Sequence, residues 1–204
     1  MSSAMSEYGH SERGRFSEAV SRFDRANAED PNVELVAGVS APKELVYARR
    51  MSAWLAKLVP DASEPLRLAA RCQHIRRWTI PRSQYQTGRD GYRAWRTCLV
   101  NFHAETAGEI LRDVGYGDST IRRVQAIVRK ERLKADPAVQ ALEDVICLVF
   151  LEYYFEDFAA KHDKEKLLDI LQKTWRKMSD HGRTAALALE LKPELRAIVV
   201  SAVG

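Results

Sequence analysis

Two histidines and an aspartate, His74, His103 and Asp144, lie far apart in the chain, each inside a phrase whose apolar spacing predicts a helix. Imidazole nitrogens and carboxylates are the groups that ligate a divalent metal, move a proton or orient a polar ligand. Arginine gathers around the first of them: positions 71, 76, 77, 82, 89, 93 and 96 are all arginine, against the single acid Asp90. That stretch carries +6 while the whole chain carries +4, which leaves −2 for the rest. Such local basicity points to an anion-binding patch, because guanidinium donors match phosphate oxygens two at a time. Trp78, Tyr85, Tyr92 and Trp95 interleave with these arginines. A base can then stack there while Arg77, Arg82 and Arg96 hold phosphate.

Plainer roles stand beside these. A histidine among alanines is often a neutral core residue, and Asp144 can serve to neutralise an arginine inside a bundle, with Glu143 facing solvent. The dipeptide His162-Asp163 sits in a polar break, where Asp163 reads as an N-cap and has no catalytic part. Phe150, Tyr153, Tyr154, Phe155 and Phe158 read as core.

The elements that must position these groups are helices. Helix is predicted over 15–28, from a cap at Ser40 with Pro42 in the first turn to Leu58, over 64–77 and over 90–114. Further helices are predicted over 121–133 behind Asp118 or Ser119, over 137–161 behind the cap Asp136, and over 164–178, 182–190 and 193–202. Asn32 to Val39 reads as a loop. So does Trp78 to Arg89, whose length suits function. On a helix ending at Arg77, His74 and Trp78 stand four positions apart and share a face. The fold class is all-α.

With 46% hydrophobic and 29% charged residues the chain has the balance of an ordered, soluble domain. No apolar run reaches the ~20 residues of a membrane span, and the first residues carry no signal-peptide centre. A cytoplasmic protein is expected. Cys72, Cys98 and Cys147 form no C-x-x-C pair and read as buried thiols.

Three phrases carry a resemblance. "LAARCQHIRRW" is similar to the helix of HD-superfamily phosphohydrolases that ends in a His-Asp pair. "FHAETAGEILRDVGY" resembles the following helix, which adds a second metal-facing histidine, and "AIVRKERLKADPAVQALEDVICLVFLE" resembles the closing helices with their final aspartate. A closer similarity, carried by "RCQHIRRWTIPRSQY…GYRAWR…FHAE…LEDVICLVFL" and spanning nearly the whole chain, is to the domain-of-unknown-function family number 4202, which implies no activity.

The chain is expected to form one helical bundle of eight to nine helices over 15–204, after a flexible segment 1–14, and the HD resemblance, which holds over roughly 40–155, gives that bundle an HD-type form. The resemblance implies a divalent ion (Mn, Fe, Zn or Mg) held by Glu44, His74, His103 and Asp144, the last three being catalytic. The pattern's aspartate is replaced by Ile75, which can neither bring charge to a metal nor help activate its water. Glu44, Glu105 or Glu131 could compensate, although Glu105 points roughly 200° round the helix from His103. Another histidine position of the pattern falls at Lys130 or Glu131.

Three functions follow. The first is a metal-dependent phosphohydrolase or phosphodiesterase acting on a phosphorylated small molecule, a nucleotide included, with Arg77, Trp78, Arg82, Tyr85, Tyr92 and Arg96 binding substrate. The second is an HD-like domain that binds such a molecule without cleaving it, favoured by Ile75. The third is an RNA-binding module using the Arg71–Arg96 patch.

Overall fold

Helix forms where apolar residues recur every three or four positions, and the helices end where backbone or capping chemistry forces a turn. The computed structural model describes residues 2–203, with side chains from Gly14 to Ala202. The segment expected to be flexible, 1–14, lies outside the described side chains except for Gly14. Ten α-helices occur among the described residues, slightly more than expected, and the fold is predominantly α. They are α1 Ser2–Ala28, α2 Lys43–Leu58, α3 Glu64–Cys72, α4 Gly88–Asp113, α5 Asp118–Val128, α6 Pro137–Val149, α7 Phe155–Ala159, α8 Lys164–Lys177, α9 Asp180–Leu187 and α10 Pro193–Val203. None is long and apolar enough to cross a membrane.

Contacts divide the chain into two compact units: 1–52 with 62–131, and 53–61 with 132–204. In the first, α5 packs on α3 and α4 around Leu68, Leu99, Leu111, Val124 and Ile127, all essentially without exposure. Gly108 permits a close approach of α4 and α5, since a Cβ there would fall 2.4 Å from the Gln125 amide nitrogen. The same amide donates to the Ala104 carbonyl. In the second unit, α6 packs on α8 and α9, and α10 on α8. Leu142, Leu148, Phe155 and Met178 are core residues there.

Several expectations need correction. The loop drawn over Asn32 to Val39 is instead half of a β-hairpin, β1 Val33–Val36 antiparallel to β2 Val39–Pro42. Ala37 and Gly38 both have positive φ, 48° and 80°, the requirement of a two-residue hairpin turn of the primed class. Ser40 and Pro42 therefore belong to a strand and do not start α2. The cap comes from farther back: buried Asp30 accepts from the Glu44 amide through Oδ2 (3.0 Å) and from the Asn32 amide through Oδ1 (2.9 Å). The caps at Asp136 and Asp163 form as read, accepting from Ala138 and Lys166 respectively.

Two helices stop early. α3 ends at Cys72, and α5 ends at Val128 ahead of a turn in which Lys130, Arg132 and Lys134 all take positive φ. α6 runs on into one wide π turn, Phe150–Tyr154, before α7. Of the aromatic stripe, Phe155 is fully buried while Tyr153 is well exposed. Glu143, expected in solvent, is buried, with Lys177 3.6 Å away.

Because Asp30 anchors both the hairpin approach and the start of α2, Asp30→Ala should cost about 1–2 kcal/mol. Asp163→Ala, at an exposed cap, should cost less. Urea denaturation midpoints of the two variants check this ordering.

Candidate functional site

The turn after α3 builds the site. Its backbone closes through successive short-range bonds, from Ile75 to Cys72, from Arg77 to His74 and from Thr79 to Arg76. Arg76 adopts the left-handed conformation, φ 51°, uncommon for a residue with a Cβ. Its amide donates to the Asn27 side-chain oxygen at 3.0 Å, which holds the turn against α1. His74 is consequently on a turn and not on a helix face, so the shared face with Trp78 does not exist. What the turn does instead is present His74 and Arg77 together, beside α2 and α4.

Three elements converge: this turn, α2 and α4. From α4, buried His103 points its Nδ1 at the Ile75 carbonyl, 2.8 Å away. The carbonyl can only accept, so the ring's proton is on Nδ1 and Nε2 is a lone pair. That Nε2 is buried and has no hydrogen-bond partner among the described residues. The His74 and His103 ring centroids lie 5.8 Å apart. From α2, Glu44 brings Oε2 to 3.3 Å from His74 Nδ1, without hydrogen-bond alignment. Tyr47, one helical turn on, stacks on His74 at 4.1 Å with planes 10° apart.

Arg77 completes the group. Its guanidinium lies 3.5 Å from His74 Nε2 and 3.9 Å from Glu44 Oε1, and it stacks on Trp95 at 4.9 Å. Trp95 is itself fixed by its indole N–H donating to the Ile80 carbonyl. The arginine N–H toward Nε2 assigns His74 the same Nδ1–H tautomer as His103.

Burial, above all, pushes both imidazoles well below their usual range. For His74 the positive charges of Arg77, Arg96, Lys130 and Lys43 act in the same direction. For His103 the neighbouring His74, Arg77 and Arg96 do so, partly opposed by the bond to Ile75. The histidines are thus neutral at physiological pH. Glu44 moves oppositely: burial raises its carboxyl to about 7, although Arg77 pulls it down. The result is two neutral rings and a carboxyl poised near neutrality in a field set by basic side chains. The His74 and Arg77 side chains keep 18% and 22% of their exposure, so the cluster is open to solvent.

The remaining candidates take varied places. Arg96 is half-buried and close enough to act on both histidines. Tyr92 is half-exposed, its ring 5.9 Å from Trp95. Trp78 is partly exposed in the turn. Arg82 spends its guanidinium on the carbonyls of Tyr85, Gln86 and Gly88, closing the loop before α4. Glu105 is exposed beside Arg129. Of the other arginines, Arg71 pairs doubly with Asp24, and Arg76 pairs with Glu29.

Asp144 belongs to the second unit, where its carboxylate accepts from the Ser179 amide (2.8 Å), the Ser179 hydroxyl (2.5 Å) and the Gln140 amide (2.9 Å). Its partners are a serine and a glutamine, not an arginine. Gly182 packs against it so closely that a Cβ would fall 2.6 Å from the carboxyl carbon. Among the described residues no group of three or more His, Cys, Asp or Glu side chains is arranged to hold a metal ion.

Three contributors were not singled out in the sequence. Tyr47 follows Glu44 by three positions, a spacing that puts both on one face of α2. The bonds by which Asp30 and Asn27 serve the site reach 14 and 49 positions along the chain, beyond any local pattern, although Asp30 also accepts from Asn32 two positions on.

Over residues 17–199 the chain matches the family described as a domain of unknown function (DUF4202), and it belongs to that family. Neither a curated protein nor a solved structure matches it.

The Glu44 carboxyl has a definite pH signature. Its ordinary value is 4.5 and its folded value about 7, so between these the folded chain holds a proton that the unfolded chain has lost. Stability therefore falls as pH rises through that window, by on the order of 3 kcal/mol in all. Glu44→Gln, a neutral replacement, should be more stable than wild type at pH 8 and lose that advantage toward pH 4.5. Paired denaturation curves across this range check it.

Proposed function

We propose that this DUF4202 member uses the cluster around Arg77 to bind a phosphorylated small molecule without cleaving it. The observation that carries the reading is the position of Arg77 itself. Its guanidinium covers the His74 lone pair and lies beside Glu44, so the charge at the centre of the group is already positive. A second cation there would meet repulsion, whereas a phosphate oxygen would accept from the same N–H groups. Arg96, Lys130 and Lys43 strengthen the positive field. Buried His103 Nε2 supplies an acceptor for a ligand hydroxyl or N–H, and Tyr92 and Trp95 offer ring faces. Ile75 is buried and brings no charge to the site.

Sulfate is the simplest probe, because it does not titrate near neutrality. Its affinity should rise as pH falls from 8 to 6, because a protonated Glu44 no longer repels it and can donate a hydrogen bond. Arg77→Ala should weaken sulfate and phosphate binding at least tenfold, in line with about 1.5–3 kcal/mol for a charge-assisted bond. Arg82→Ala should leave affinity unchanged and lower thermal stability, since that guanidinium serves the loop. Calorimetric titration of the three proteins decides this.

The second reading is the metal-dependent phosphohydrolase suggested by the HD-like phrases. It is favoured by the unpartnered Nε2 of His103, whose Nδ1–H is fixed on a carbonyl in the manner of many metal-ligating histidines. Phosphate-ester turnover that requires Mn²⁺ or another divalent ion, and is lost in His74→Ala and His103→Ala, would displace the binder. Binding with no turnover under any such ion supports it.

A further inference from the structure

The helix that carries His103 also carries a line of cations leading away from it. On α4, Arg89, Arg93, Arg96 and His103 follow one another at intervals of four, three and seven residues, the spacing of a single stripe. At 1.5 Å per residue that stripe is about 21 Å long. Its inner end is the buried imidazole, and Arg96 acts electrostatically on both histidines. Its outer end, the first two turns of α4, is exposed nearly all round.

Arg89, Arg93 and Arg96 make no hydrogen bond or ion pair among the described residues. This distinguishes them from Arg71, Arg76, Arg77 and Arg82, each of which has partners. An exposed arginine without an acid is ordinary; three on one stripe, ending at an anion site, form a track. Tyr92 lies beside that track with half of its surface open, its ring 5.9 Å from that of Trp95 and tilted by 53°, and Trp95 in turn carries Arg77. A series of ring and cation contacts, tilted at both ring pairs, thus links His103 to Tyr92 through His74, Arg77 and Trp95.

A lone phosphate would use only the inner end. A ligand that uses the whole track must repeat its negative charge along the helix and offer a flat ring near Tyr92. Single-stranded nucleic acid has both properties, with backbone phosphates for the arginines and a base for the tyrosine. We infer that the site takes the phosphorylated end of a short single strand, with the terminal phosphate at Arg77 and Arg96. The following phosphates lie along Arg93 and Arg89, and a base stacks on Tyr92. This rests on the anion site proposed above and names its ligand class. Linear polyphosphate shares the repeating charge but has no base, and Tyr92 separates the two.

Fluorescence anisotropy with full-length protein tests it, using a labelled tetranucleotide bearing a 5′-phosphate, a 3′-phosphate or neither. The phosphorylated strand is expected to bind at least tenfold tighter than the matching mononucleotide and tenfold tighter than the unphosphorylated strand. Arg89→Ser with Arg93→Ser, surface changes whose folding circular dichroism verifies, should remove the gain over the mononucleotide. They should leave mononucleotide affinity alone. The slope of log affinity against log salt should fall by roughly 1.4, from two lost contacts on a single strand. Tyr92→Ala should weaken the strand at least fivefold and leave linear polyphosphate unaffected. A strand that binds no tighter than its mononucleotide would overturn the inference while leaving the anion site intact. An unphosphorylated strand that binds equally well, or polyphosphate weakened equally by Tyr92→Ala, would overturn it too. If sulfate, mononucleotide and strand all fail to bind, the anion-site reading itself is wrong and the inference falls with it.

Discussion

One hydrogen bond sets the site: His103 Nδ1 to the carbonyl of Ile75, 2.8 Å, entirely buried. It ties α4 to the turn that follows α3, and it fixes a tautomer as well as a position. The candidate site is built around that turn. Asn27 holds its left-handed residue from one side and His103 holds its carbonyl from the other. Between those anchors, His74 and Arg77 have little freedom to lie elsewhere. Net hydrogen-bond energies are modest, but a buried acceptor left without its donor costs about 1–3 kcal/mol, so the arrangement is strongly specified.

The electrostatics follow from the packing. Burial keeps both imidazoles neutral and raises Glu44 to about 7, because each loses water that would stabilise its charged form. Arg77, still partly exposed and supported by the Trp95 face, remains the group that carries charge reliably. A site of neutral acceptors with a fixed cation, and a carboxyl able to shed its charge, suits the anion proposed as its ligand. Ile75 fits this logic: its backbone carbonyl orients His103 while its side chain is fully buried.

Much of the fold was legible because it rests on local rules. Apolar spacing marked the helices, and Asp-Pro at 136–137 and Asp163 announced their own caps. What was not legible depends on distant partners. The end of α3 is set by Asn27, 49 positions before Arg76, and no pattern near His74 signals a left-handed arginine. The hairpin leaves little trace in the sequence because each strand has only four residues, too few for an alternating pattern to stand out. Its turn uses Ala37 at positive φ, where asparagine or glycine would have been the recognisable signal.

The site was legible in part for the same reason. His74, His103 and Arg77 stand out by residue type and Glu44 through the HD resemblance, and the structure brings these four together. Residue type alone could not say which arginines were already occupied. Arg82 looks like a phosphate ligand in sequence and closes a loop in space, whereas Arg96 has no hydrogen bond or ion pair among the described residues. Asp144 has the chemistry of a ligand and makes its bonds to Ser179 and Gln140.

Ring ¹⁵N chemical shifts of His74 and His103, followed during a phosphate titration at constant pH, test the central claim most directly. Both rings should begin as neutral imidazoles protonated on Nδ1, and the Nε2 signals should move saturably as phosphate binds, with neither ring becoming charged. An imidazolium at neutral pH, or Nε2 signals indifferent to phosphate yet shifted by a divalent ion, would contradict a neutral, arginine-centred anion site.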